Sequence, residues 1–81
     1  MQFTLVHNEP SCRKCRDTQA VLEAVLAECP DLCTVRYLTV AEAGQAGLSV
    51  VLTPTVLVDG QVLCAGIVPR QAGLLRLIHG N

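Results

Sequence analysis

The chain has 81 residues, 51% of them hydrophobic, yet only one Phe, one Tyr and no Trp. That suffices for one domain spanning residues 1–81 with a thin core of Val, Leu, Ile and Ala, and it excludes a second. Six basic residues against seven acidic ones, a formal net charge of −1, supply no field for nucleic acid or an anionic membrane and argue against both as partners.

Residues 2–7 carry the apolar run Phe3-Thr4-Leu5-Val6, which predicts a first strand central in a sheet covered on both faces. The run gives way to Asn8-Glu9-Pro10 too soon for a signal peptide or a spanning segment, so cytoplasmic residence is the expectation. Ser11 reads as the N-cap of a helix from Arg13 to Glu28, which Pro30-Asp31 ends. Its apolar side recurs at Cys15, Thr18, Leu22, Val25, Leu26 and Cys29, a helical period kept for four turns.

The chemistry gathers where strand meets helix, at Ser11-Cys12-Arg13-Lys14-Cys15-Arg16. On a first helical turn, residues i and i+3 share a face about 5–6 Å apart, within reach of a disulfide. Cys12 would lie among unpaired N–H groups at the positive end of the helix dipole, with Arg13, Lys14 and Arg16 adding cationic field, and each favours thiolate over thiol. Thiolate is the nucleophile of disulfide exchange, and Cys15 supplies the second sulfur that resolves a mixed disulfide. The pair therefore reads as a redox-active dithiol that needs no further cofactor.

Zinc is the rival reading, because Cys12, Cys15, Cys29 and Cys33 form a C-x2-C-x13-C-x3-C pattern. At about 1.5 Å per residue a helix carries Cys15 about 21 Å from Cys29, and ligands of one zinc lie about 2.3 Å from it. The two pairs cannot share an ion without breaking that helix, so no metal ligand is assigned. Five cysteines, an odd number, also speak against a framework of structural disulfides. Cys29, Cys33 and Cys64 read as packed thiols, with a Cys29–Cys33 bridge across the turn as an alternative. His7 ends the first strand, His79 is expected to be uninvolved, and Arg70 is a candidate for meeting an acidic group of a partner.

Farther on, Val35-Arg36-Tyr37-Leu38 predicts a second strand parallel to the first through a right-handed crossover. Thr39-Val40-Ala41-Glu42 has the form of a capping box opening a short helix to about Ala46, with Gly47 as its terminating glycine. Thr55-Val56-Leu57-Val58 and Gln61-Val62-Leu63-Cys64 flank Asp59-Gly60, which predicts an antiparallel hairpin on a type I′ turn. Pro69 stands where the first residue of a last helix would, and Leu74, Leu75, Leu77 and Ile78 are its expected buried side. The order is β-α-β-α-β-β-α.

Four features in this order resemble the thioredoxin/glutaredoxin superfamily, in particular its small redox-active disulfide members. They are the strand leading into Ser11-Cys12-Arg13-Lys14-Cys15, the Thr53-Pro54-Thr55 turn, the Asp59-Gly60 hairpin, and Ala65-Gly66 leading into Val68-Pro69. The resemblance implies an α/β fold with a four-stranded mixed sheet in order 2-1-3-4, helices one and three on one face and helix two on the other. It also implies a cis bond before Pro54, with Thr53 offering its backbone to a substrate polypeptide beside Ser11, Arg13 and Lys14. The implied activity is thiol–disulfide oxidoreduction by a monomer, with a disulfide-containing protein as substrate and an unidentified reductase as donor. Three departures are visible. Ser11 and Arg13-Lys14 replace the aromatic and the Gly-Pro of thioredoxins, Val6 stands where they carry a buried acid, and Gly66-Ile67-Val68-Pro69-Arg70 lacks the glutathione-binding pattern of glutaredoxins. Glutathione is thus not implied as donor. A metal-binding CxxC protein and a redox-regulated interaction domain without turnover are the alternative functions.

Overall fold

The computed structural model describes residues 1–80. Its elements are β1 (Gln2–His7), α1 (Arg13–Glu28), β2 (Thr34–Thr39), α2 (Val40–Gln45), β3 (Thr55–Val58), β4 (Gln61–Ala65) and α3 (Gln71–His79). The four strands form one sheet in the order β2-β1-β3-β4, as expected. β1 pairs parallel with β2, Phe3 facing Val35, and antiparallel with β3, Phe3 facing Val58.

Alternation along the central strand sorts the core into two layers. Phe3 and Leu5 point to one face, where with Val56 they pack against Leu22 and Val25 of α1 and Leu74 of α3. Val6 points to the other, where with Leu57 it meets Ala43 of α2. The parallel pairing of β1 with β2 thus carries α1 across one face, and α2 closes the opposite one. Each fully buried side chain of this size contributes about 1.5–3 kcal/mol, so a core without Trp is held by many small terms.

Local signals set the ends. Thr39 Oγ1 accepts the Glu42 N–H at 3.1 Å while Glu42 Oε1 accepts the Thr39 N–H at 2.9 Å, a complete capping box that holds the Glu42 carboxyl below its ordinary range. Asp59 and Gly60 take φ of 50° and 86°, both positive as a type I′ turn requires. Asp59 also ties this turn to β1, its Oδ1 accepting the Gln2 N–H at 2.8 Å.

The structure corrects three expectations. Cys12, not Ser11, is the N-cap of α1, because its carbonyl accepts the first helical bond, from Arg16 N–H at 3.0 Å. α3 begins at Gln71, with Arg70 as its cap and Pro69 still in the approach. A fixed proline φ serves a helix start and an extended lead-in alike, so the residue type could not decide between them. Leu77 is 40% exposed. Leu74, Leu75 and Ile78 form the inward stripe, and Leu77 turns to the outer edge beside Val62 and Leu63. β4 also carries a bulge: Val56 pairs with Cys64 and Leu57 with Val62, leaving Leu63 without a partner. Among the described residues no helix is long and apolar enough to cross a membrane.

Candidate active site

β1 delivers the chain at its end to Asn8-Glu9-Pro10, and α1 starts three residues later, so Cys12 and Cys15 sit on the first turn of the longest helix. The Glu9–Pro10 peptide bond is cis, a feature with no sequence expectation behind it. Cys12 has extended backbone as a cap should, and its sulfur accepts the Cys15 N–H at 3.4 Å. The two thiols are free, with their sulfurs hydrogen-bonded at 3.0 Å. Cys12 is half-buried, whereas Cys15 is 1% exposed and belongs to the inward side of α1.

These positions push the two thiols apart in acidity. The Cys12 thiol is lowered, chiefly by the hydrogen bond from the Cys15 side chain and next by the backbone N–H groups of Cys15 and Lys14. Cys15 is raised, first by burial and second by serving as donor to Cys12. In the reactive form Cys15 S–H therefore donates and Cys12 sulfur, as thiolate, accepts. A half-exposed sulfur of raised acidity stands beside a shielded one of lowered acidity.

The cationic residues act differently from expectation. Arg13 lies 4.0 Å from Asp17 in an exposed ion pair, Lys14 Nζ donates to the Gly66 carbonyl at 3.4 Å, and Arg16 donates to the Ser11 carbonyl at 2.9 Å. Hydrogen bonds of the first turn, not these charges, account for the Cys12 shift. Ser11 Oγ is 3.4 Å from His7 Nδ1, which is 2.9 Å from the Asn8 carbonyl. A carbonyl only accepts, so Nδ1 holds the proton and His7 is engaged with its own turn.

Lys14 connects the dithiol to the other half of the chain. Gly66, whose carbonyl it reaches, donates its N–H to the Pro54 carbonyl at 2.7 Å. The Thr53–Pro54 bond is cis, Pro54 is fully buried and Thr53 is half-buried. Thr55 Oγ1 donates to the Leu52 carbonyl and closes that turn. Gly66 has φ of 76°, and a Cβ there would meet Leu52 Cδ1 at 3.3 Å, so glycine allows both the backbone and the close approach.

Val51, Leu52 and Ile67 are apolar yet 93%, 55% and 58% exposed. Sequence reasoning passed over them, since Val50-Val51-Leu52 reads as apolar run alone; the signal lay in its place between Gly47 and the Thr53-Pro54 turn. Arg70 caps α3 and lines a groove with Ile67 and Leu74. At the opposite end of α1, Cys29 and Cys33 are buried, and Cys29 Sγ lies 3.8 Å from Nε2 of His79, a residue expected to be uninvolved. Cys64 is half-buried and raised by burial.

A family model described as a thioredoxin domain matches residues 1–79. No curated protein matches the chain.

Proposed function

This chain belongs to the thioredoxin domain family, and from that footing we propose that it is a thiol–disulfide oxidoreductase acting on disulfide-bonded proteins through Cys12 and Cys15. The observation that carries this reading is the asymmetry of the pair: Cys12 is accessible with its acidity enhanced, and Cys15 is buried with its proton retained.

Cys12 thiolate attacks one sulfur of the substrate disulfide. A Cys12–substrate S–S bond forms, the substrate bond breaks, and the departing sulfur leaves as a thiolate that takes a proton. Cys15 then loses its proton and attacks Cys12 sulfur, forming Cys12–Cys15 and releasing the second substrate thiol. Two electrons and two protons pass to the substrate, and the oxidised pair awaits a reductase, so the dithiol is itself the carrier. A reducing cytoplasm suits such cycling.

Substrate recognition falls to the surface joined through Lys14. Thr53 offers backbone groups beside the cis bond for a short antiparallel pairing, and Leu52 and Ile67 give apolar ground for side chains flanking the target disulfide. Ser11, Arg13 and Lys14, next to Cys12 in the chain, are the further residues assigned to substrate contact.

The test is reduction of a protein disulfide such as that of insulin, with dithiothreitol as donor, by wild type and by Cys12→Ser. Catalysed reduction that vanishes in the variant supports the assignment. Binding of an oxidised protein without any catalysed reduction would instead mark an interaction domain, and tight stoichiometric metal on the purified chain a metal carrier.

A further inference from the structure

We propose that Cys29 and Cys33 form a second, reversible redox pair, separate from the dithiol above, which hydrogen peroxide closes to an intramolecular disulfide with the His79 imidazole as proton acceptor.

The geometry draws three reactive groups together at the C-terminal end of α1. Cys29 is the C-cap, and its carbonyl accepts both the Leu32 N–H at 3.1 Å and the Cys33 S–H at 3.5 Å. The turn Cys29-Pro30-Asp31-Leu32 is thereby closed, and it folds the Cys33 side chain back over the Cys29 backbone. Both thiols belong to one buried cluster, and a bond between them would close within this turn, outside the strand pairings of the sheet. His79, fifty residues later and at the end of α3, places Nε2 3.8 Å from Cys29 Sγ.

Chemistry here differs from that of the first turn. The end of α1 presents carbonyls, not N–H groups, so a proton leaving Cys29 needs another acceptor. The exposed imidazole of His79 provides one through Nε2, in the tautomer that carries its proton on Nδ1. Both sulfurs are shielded from a bulky disulfide, Cys29 at 6% and Cys33 at 4% exposure; Cys33, the resolving sulfur, borders an open cleft with Pro30, Asp31 and Asp59, and Cys29 is approached beside the exposed His79 ring. This selects a small oxidant over a protein substrate.

The step balances. His79 Nε2 takes the Cys29 proton, and Cys29 sulfur attacks one peroxide oxygen; the O–O bond breaks, and the departing hydroxide takes the proton from His79 and leaves as water. Cys29 is now a sulfenic acid. Cys33 sulfur attacks it, the S–S bond forms, the S–O bond breaks, and hydroxide leaves with the Cys33 proton as a second water. Two thiols and one peroxide give one disulfide and two waters.

The test uses the full chain carrying Cys12→Ser and Cys15→Ser, so that its result is independent of the oxidoreductase reading. Hydrogen peroxide is added to the folded protein, followed by denaturation, alkylation and peptide mass mapping. The expected result is a Cys29–Cys33 disulfide that dithiothreitol reopens, with Cys64 alkylated throughout, and a several-fold slower closure when His79→Gln is added. Full alkylation of Cys29 and Cys33, a bridge to Cys64, or irreversible oxidation of a single thiol would overturn the pair. Equal closure rates in urea-unfolded protein would overturn the role of the fold, and an unchanged rate in His79→Gln that of the imidazole.

Discussion

The two ends of α1 hold the same chemical ingredients in opposite surroundings. At its start Cys12 and Cys15 share a turn, the leading sulfur half-exposed and accepting hydrogen bonds from backbone N–H and from its partner. At its end Cys29 and Cys33 also lie a turn apart, but both are buried, and the backbone group between them is a carbonyl. Burial raises the Cys33 thiol, whereas the Cys12 thiol is lowered. The acidity of a cysteine in such a pair thus follows from its partner's S–H, from the backbone groups it meets and from its burial: Cys12 gains a thiol donor and N–H groups, whereas Cys33 is buried against a carbonyl.

The largest expected effect breaks one end and spares the other. Cys12→Ser should abolish catalysed disulfide reduction, and Cys29→Ser should leave it within about two-fold, measured by insulin reduction, as sites more than about 7–10 Å apart seldom couple. Cys15→Ser should still attack and accumulate its mixed disulfide, visible as a higher band on a non-reducing gel. Loss of activity in Cys29→Ser with the fold retained would erase the distinction between the ends.

The next effect is a pH profile. Alkylation by iodoacetamide should label Cys12 ahead of Cys15, Cys33 and Cys64 at neutral pH, since Cys12 alone among these is lowered. Its rate should rise through a pKa below the ordinary thiol value and then level, while Cys15 responds only at alkaline pH. The linked stability has matching signs. The Cys12 contribution is present above the unfolded pKa and is lost as pH falls through the folded one. The Cys15 contribution is present below the unfolded pKa and is lost as pH rises through the folded one.

Leu22→Ala, between the two ends, sharpens the contrast by separating stability from reactivity. Leu22 is fully buried against Phe3, Leu5 and Val25, so the cavity should cost about 2–5 kcal/mol in urea unfolding. The order of thiol labelling in the folded protein should not change, because the bonds that set it lie within one turn of Cys12. Reordered labelling would mean that the core, and not the helix end, sets the asymmetry.

Much of this arrangement could be read from the chain because its signals are local. Asp59-Gly60 demanded two positive φ angles, Thr39 and Glu42 spelled out their capping box, and the four-turn apolar period of α1 fixed which face Cys15 and Cys29 share. Errors came where one residue of register decides, as between Ser11 and Cys12 for the cap, or Pro69 and Arg70 before α3. Side-chain direction was hidden too: Arg13, Lys14 and Arg16 are adjacent to the thiols in sequence, yet each has turned to another partner. The Cys29–His79 contact joins residues that only the packing of α3 against α1 brings together, and no pattern within a window could show it.

The smallest expected effect follows from those turned cations. By charge alone, neutralising Arg13 should raise the Cys12 pKa and slow attack. Arg13 instead pairs with Asp17 at 4.0 Å, with its side chain 89% exposed, and water screens a charge so placed. Arg13→Gln should therefore cost no more than about 0.5 kcal/mol of stability, the scale of an exposed i,i+4 pair. It should shift the midpoint of the Cys12 alkylation profile far less than loss of the Cys15 S–H donor in Cys15→Ala. Lys14→Gln tests a different contact, because Lys14 reaches the Gly66 carbonyl and so ties α1 to the Pro54 turn. Its effect should appear in KM for a protein substrate and leave the alkylation midpoint in place. If Arg13→Gln moved that midpoint as far as Cys15→Ala does, long-range charge would govern Cys12, and the contrast between N–H and carbonyl ends would explain little of its reactivity.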